Sequence, residues 1–193
     1  MKTDIILAGV GGQGILSIAA SLGAAALNEN YYLKQAETHG MSQRGGAVVS
    51  HLRIADHPIY SDLIPTGQAD LILSVEPMES LRYLPYLSPQ GSLVTNTAEF
   101  VNIPNYPELE NTFNELSKKI NIIRIDADQI AKETGNPKAS NMVMLGAASP
   151  FIAIHEEIII KGIKTIFKAK GEEIVKMNIE AFKAGRAFSL SKS

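Results

Sequence analysis

Hydrophobic positions come in short runs punctuated by glycine, proline and charge, and their lengths alternate between those of strands and helices. Asp4-Ile5-Ile6-Leu7-Ala8 is apolar and partly β-branched, with glycines directly after it, and predicts a buried parallel strand. Residues 15–28 are alanine-rich and free of proline, which predicts a helix. Its small residues Ala19, Ala20, Gly23 and Ala24 would let it lie close to a sheet. Residues 31–36 predict a second strand and complete a βαβ unit of about 30 residues. Residues 47–55 alternate, with Val48, Leu52 and Ile54 on one side and His51 and Arg53 on the other, so this strand is expected to be half exposed. Asp56-His57-Pro58 reads as a turn, and Ile59-Tyr60-Ser61 as the returning arm of a hairpin at a sheet edge.

Further along, residues 70–75, 92–96 and 121–125 predict strands, and residues 78–86, 109–119, 126–133 and 140–148 predict helices. Residues 97–107, with Pro104 and Pro107, read as a loop. Two helices close the chain. Glu156 and Glu157 in the first turn of one, and Lys168 and Lys170 near its end, match the helix dipole. Ile174, Asn178, Ala181, Phe182 and Gly185 share one stripe of the last. With no linker or repeat, the pattern predicts one domain over residues 1–193. Its expected class is α/β, a three-layer Rossmann-like arrangement with a mostly parallel sheet and a β-hairpin edge.

Composition narrows the function. The 193 residues are 45% apolar, enough for an ordinary core. Eighteen Lys plus Arg against 20 Asp plus Glu give a formal net charge of −2, which argues against nucleic-acid binding by bulk charge. Cysteine is absent, so disulfides, thiolate nucleophiles and cysteine-ligated clusters are excluded. No run approaches the ~18 apolar residues of a membrane span, and the N-terminus enters a strand without a signal-peptide core. A cytoplasmic protein is expected.

Two glycine-rich segments carry the candidate chemistry. Gly9, Gly11 and Gly14 satisfy G-x-G-x-x-G between a strand and a helix, and Gly12 and Gln13 complete that turn. Exposed N–H groups there would attract an anion. Glu37 follows Gly14 by 23 residues, near the spacing of a ribose-binding acid. A Walker A reading fails, because Ile15 and Leu16 stand where Lys and Ser/Thr are needed. The second segment, residues 37–46, gathers Glu37, Thr38, Gly40, Ser42, Gln43, Arg44 and Gly45 with almost nothing apolar. Such a stretch is suited to presenting polar groups, Arg44 offering a fork for phosphate or carboxylate. Glu76 ends a central strand, where open α/β sheets place ligand contacts, and could equally cap the next helix. The four histidines show no metal-ligand spacing.

The runs D-I-I-L-A-G-V-G-G-Q-G, E-T-H-G-M-S-Q-R-G-G-A-V and A-D-L-I-L-S-V-E-P-M-E-S-L-R, with N-M-V-M-L-G-A and N-I-E-A-F-K-A-G later, cover nearly the whole chain. Together they resemble the gamma-type domain of 2-oxoacid:ferredoxin oxidoreductases, in its indolepyruvate-type form. The resemblance implies a complex that converts an aryl 2-oxoacid, with coenzyme A, to an acyl-CoA, carbon dioxide and reduced ferredoxin. It also implies thiamine diphosphate, Mg and iron–sulfur clusters. Without cysteine, and without G-D-G followed by N-N, this chain is expected to leave those groups to a partner alpha subunit and to be inactive alone. Gly11, Gly12, Gln13 and Gly14 would then face the partner or an anionic cofactor group, and Thr38, Ser42, Gln43 and Arg44 would line the subunit junction. Two other readings stay open: a stand-alone NAD- or FAD-binding oxidoreductase, and an interaction module with no role in the active site. A homodimer of the isolated chain is compatible with each.

Overall fold

The computed structural model describes residues 1–40, 45–101 and 103–192. In chain order the strands are β1 (Lys2–Val10), β2 (Tyr32–His39), β3 (Ala47–Ala55), β4 (Ala69–Ser74), β5 (Leu87–Asn96) and β6 (Asn121–Ile125). The helices are α1 (Ile15–Asn28), α2 (Pro77–Arg82), α3 (Glu110–Leu116), α4 (Ala127–Glu133), α5 (Ser140–Ala148), α6 (Glu156–Phe167) and α7 (Glu172–Leu190). The strands form one mixed sheet in the order β2-β3-β1-β4-β5-β6. β1, β4, β5 and β6 run parallel, and β3 runs antiparallel to both its neighbours.

The apolar runs of β1, β4 and β5 are buried because both sheet faces are covered, as a parallel sheet requires. Ile5, Leu7, Leu71, Leu73 and Val94 point to the larger core, beneath α1 and α5. Ile6, Ile72 and Leu93 point to the smaller one, with Phe113 of α3 and Ile64 of a connecting loop. Outside the first helix layer, α6 lies on α1 and α7 on α5, with glycines at each crossing. A methyl group on Gly162 would come within 2.2 Å of the Ser21 carbonyl oxygen, and one on Gly146 within 1.9 Å of that of Phe182.

Two expectations are corrected. The edge hairpin is β2–β3, whose register runs Tyr32 opposite Ala55 to His39 opposite Val48; residues 59–61 form no strand. The alternation in β3 also does not expose one face. Asp4, 1% exposed, receives a forked pair of hydrogen bonds from Arg53 at 2.8 and 3.0 Å. Arg53 also donates to the carbonyls of Ser61 and Leu63, at 3.1 Å each. These bonds draw the β3–β4 connection over the polar side of β3, so His51 is buried as well. The ring of His51 meets Tyr86 edge-on at 5.3 Å, and its Nδ1 accepts from the Ile64 N–H at 3.1 Å.

That acceptor role requires a neutral imidazole. Burial, and secondarily the charge of Arg53, lower the His51 pKa below its ordinary value. As pH falls through about 6.5, the unfolded chain therefore takes up this proton before the folded one does, and stability declines until the folded pKa is passed. Urea unfolding at pH 8 and pH 5.5 is expected to show a larger loss for the wild type than for His51→Gln. Equal losses would contradict this account of His51.

Candidate functional site

The site is built where β1 ends. Gly14 starts α1 with φ 82°, a left-handed conformation that glycine adopts without a Cβ penalty. A Cβ there would also sit 2.5 Å from Asn141 Nδ2, which donates to the Gly14 carbonyl at 3.2 Å and ties α5 to the turn. Gly9 is required for space. A side chain on it would meet Val75 at 2.3 Å and the Gln13 amide oxygen at 3.1 Å. Gln13 fills the turn itself, its Oε1 accepting the Val10 N–H at 2.8 Å.

The second glycine segment is joined to the first. Val10 stands opposite Ala47 at the end of the β1–β3 ladder. The Gly11 N–H donates to the Gly46 carbonyl at 2.9 Å, and the Gly40 N–H to that of Ala47 at 2.8 Å. Gly46 is thus bonded directly to the first turn. A recess of about 350 Å³ lies against it, lined by Val10, Gly12, Leu16, His39 and Val48 among others. At its rim His39 Nε2 meets the carboxylate of Glu37. Glu37 in turn accepts from Gln35 at 3.3 Å, and Gln35 from the same amide donates to Ser50 at 3.2 Å.

Some donors of the turn are already used: the N–H groups of Val10, Gly11 and Gln13 bond within the chain. Glu37 sits on the edge strand β2, separated from β1 by β3. Two inter-strand spacings, roughly 9–10 Å, lie between it and the strand that feeds the turn. Its carboxylate is engaged by His39 and Gln35 rather than positioned for a ribose.

Of the predicted residues, Gly9, Gly11, Gly12, Gln13 and Gly14 come together in the turn, and Gly40 and Gly45 flank the hairpin tip. Glu37 and Thr38 belong to β2 rather than to a loop. Ser42, Gln43 and Arg44 lie outside the described residues. Glu76 is 1% exposed and caps α2, accepting from the Glu79 N–H at 2.7 Å. Its other oxygen accepts from the Phe100 N–H at 3.3 Å and from the Tyr106 hydroxyl. Burial, and then the bond to Glu76, raise the Tyr106 pKa, so the phenol stays protonated as the donor. One buried carboxylate therefore fixes two points of the loop that follows β5. The Phe100 ring lies 3.9 Å from where a Gly45 side chain would begin. The sequence reading gave residues 97–107 as a loop but not its tie to Glu76.

Residues 4–188 match the family pyruvate ferredoxin/flavodoxin oxidoreductase. The indolepyruvate oxidoreductase subunit IorB of Pyrococcus horikoshii is 36% identical over 192 residues, 94% of this chain and 93% of that one. The keto/oxoacid ferredoxin oxidoreductase gamma subunit of Geobacter sulfurreducens shares the fold, with a TM-score of 0.73 at 23% identity over 98% of this chain and 99% of that one. The 2-oxoglutarate:ferredoxin oxidoreductase of Magnetococcus marinus, solved with 2-oxoglutarate, coenzyme A and succinyl-CoA, gives a TM-score of 0.79 at 24% identity. There the match covers 98% of this chain but only 31% of the longer one.

Proposed function

The chain belongs to the pyruvate ferredoxin/flavodoxin oxidoreductase family, and from that premise we propose that it is the small, cofactor-free subunit of an indolepyruvate-type 2-oxoacid:ferredoxin oxidoreductase. The observation that carries this reading is the continuous likeness to the Pyrococcus subunit along nearly the whole of both chains. The substrate is an aryl 2-oxoacid, coenzyme A is the acyl acceptor, ferredoxin takes the electrons, and the complex works in the cytoplasm. No described helix is long and apolar enough to cross a membrane.

The iron–sulfur clusters and the Mg-bound thiamine diphosphate that the family implies do not fit the donors here. There is no cysteine to hold a cluster, and no G-D-G followed by N-N to hold the diphosphate and its Mg. Those groups belong to a larger partner subunit, and the domain over residues 1–193 supplies a wall of the shared pocket. Gly11, Gly12, Gln13 and Gly14 give that wall a rigid backbone. Thr38, Ser42, Gln43 and Arg44 bind and orient anionic groups of substrate or coenzyme A and exclude water.

Arg44→Ala tests the assignment. A charge-assisted hydrogen bond contributes roughly 1.5–3 kcal/mol, so kcat/KM of the reconstituted complex for indolepyruvate or coenzyme A is expected to fall about 10- to 100-fold. The unfolding midpoint of the isolated subunit should not move. Unchanged kinetics at all concentrations of both substrates would remove Arg44 from the junction.

A further inference from the structure

We propose that the trough between α6 and α7 is a docking site for an acidic amphipathic helix of another polypeptide. The inference does not depend on the subunit reading above. The trough has a volume of about 680 Å³, and its apolar floor is made by Val175 and Ile179 of α7. Lys164 and Lys168 border it at the end of α6, and Lys176 and Lys183 border it from α7. It exists because the two helices rest on different neighbours, α6 on α1 and α7 on α5.

Charge specifies the chemistry of the occupant. Glu172 and Glu180 also line the trough, so four cations against two carboxylates leave a local charge of +2, on a chain whose formal total is −2. Lys176 reaches Glu180 at 3.9 Å, whereas Lys164, Lys168 and Lys183 form no ion pair among the described residues. Unpaired lysines around an apolar floor are complemented by carboxylates that flank an apolar stripe. Such a ligand covers the floor and supplies the missing counter-charges together.

The walls specify its form. Both are helices, whose N–H and C=O groups are already bonded internally, so a strand laid between them would find no backbone partners. A helix brings its backbone bonds with it and lays its apolar face into the trough. From Glu172 to Lys183 the α7 wall is roughly 16 Å long, about three turns. A membrane surface fits less well. Val175 and Ile179 are half-buried beneath exposed lysines, whereas a lipid-binding helix projects its apolar side chains.

The test is fluorescence anisotropy with the full chain and a labelled synthetic peptide of about 18 residues, long enough to hold a helix, with a leucine stripe flanked by glutamates. Saturable binding is expected, weakening as NaCl is raised. The triple variant Lys164→Glu, Lys168→Glu, Lys183→Glu alters only exposed side chains, and should raise the dissociation constant about 10-fold or more. Lys119→Glu, just beyond α3 on the opposite face of the sheet, should change it less than about twofold. A peptide with serine in place of the leucine stripe should also bind the wild-type chain at least about 10-fold more weakly. Absence of saturable binding, or unchanged affinity in the triple variant, would overturn the proposal. Equal affinity for the serine peptide would overturn it too, by reducing the interaction to bulk charge. So would co-sedimentation of the chain with phosphatidylglycerol vesicles in place of peptide binding, which would make the trough a lipid surface.

Discussion

A single methyl group at Gly146 or Gly185 is expected to destabilise the protein by at least about 3 kcal/mol, and both together should abolish cooperative unfolding. The two glycines face each other across the α5–α7 crossing. A Cβ on Gly146 would lie 1.9 Å from the Phe182 carbonyl oxygen, and one on Gly185 would lie 1.9 Å from that of Val143. Both clashes are with backbone, so no rotamer change relieves them and the helices must separate. Residues 142–148 of α5 are all buried, so separation would also open the larger core. Helix propensity pulls the opposite way, since alanine is favoured over glycine by about 1 kcal/mol in a helix interior. The sign of the change therefore decides between packing and propensity. Urea unfolding of Gly146→Ala, Gly185→Ala and the double variant provides the measurement, and near-wild-type midpoints would show that the helices are not interlocked.

Arg53→Met should cost about 3 kcal/mol by a different route. Asp4 is 1% exposed, and among the described residues it would keep the half-exposed Lys2, at 2.9 Å, once the guanidinium is removed. Removing the better-buried partner leaves the carboxylate poorly compensated, which is more destabilising than replacing both partners. The variant also loses the bonds that hold the Ser61 and Leu63 carbonyls over β3. Asp4→Asn in the Arg53→Met background should recover part of the loss, and a double-mutant cycle would separate the ion pair from the loop anchorage. Additive effects of the two substitutions would mean that Asp4 and Arg53 do not act as a pair.

The parts of the fold legible in the sequence were those decided locally. The bounds of α1 follow from the glycines that precede it and from Asn30, the only non-glycine residue with positive φ among those described. The buried runs of β1 and β4 were equally plain, because nothing polar interrupts their centres. Strand order was not legible. The placement of β3 between β1 and β2 depends on a nine-residue antiparallel ladder formed at long range. The same non-local origin explains β3 itself. His51 and Arg53 suggest a solvated face only until a later loop folds across them.

The candidate site shows the same division. The two glycine segments could be recognised separately from spacing and composition. Their union through the Gly11–Gly46 hydrogen bond could not, since it depends on β3 lying beside β1. Glu76 was singled out as a strand-end carboxylate that could equally cap the next helix; its bonds cap α2 and pin Phe100 and Tyr106, partners 24 and 30 residues away. A carboxylate at a strand end looks the same in sequence whether it faces a ligand or its own chain.

The central claim is that this chain shapes a pocket whose reactive groups reside on another polypeptide. Its most direct measurement is indolepyruvate- and coenzyme A-dependent reduction of ferredoxin, by the purified chain alone and after addition of the larger thiamine-bearing subunit. The account predicts no turnover from the chain alone and turnover that saturates at a fixed ratio of the two subunits. Oxoacid oxidation by the isolated chain, or full activity of the larger subunit without it, would contradict the account.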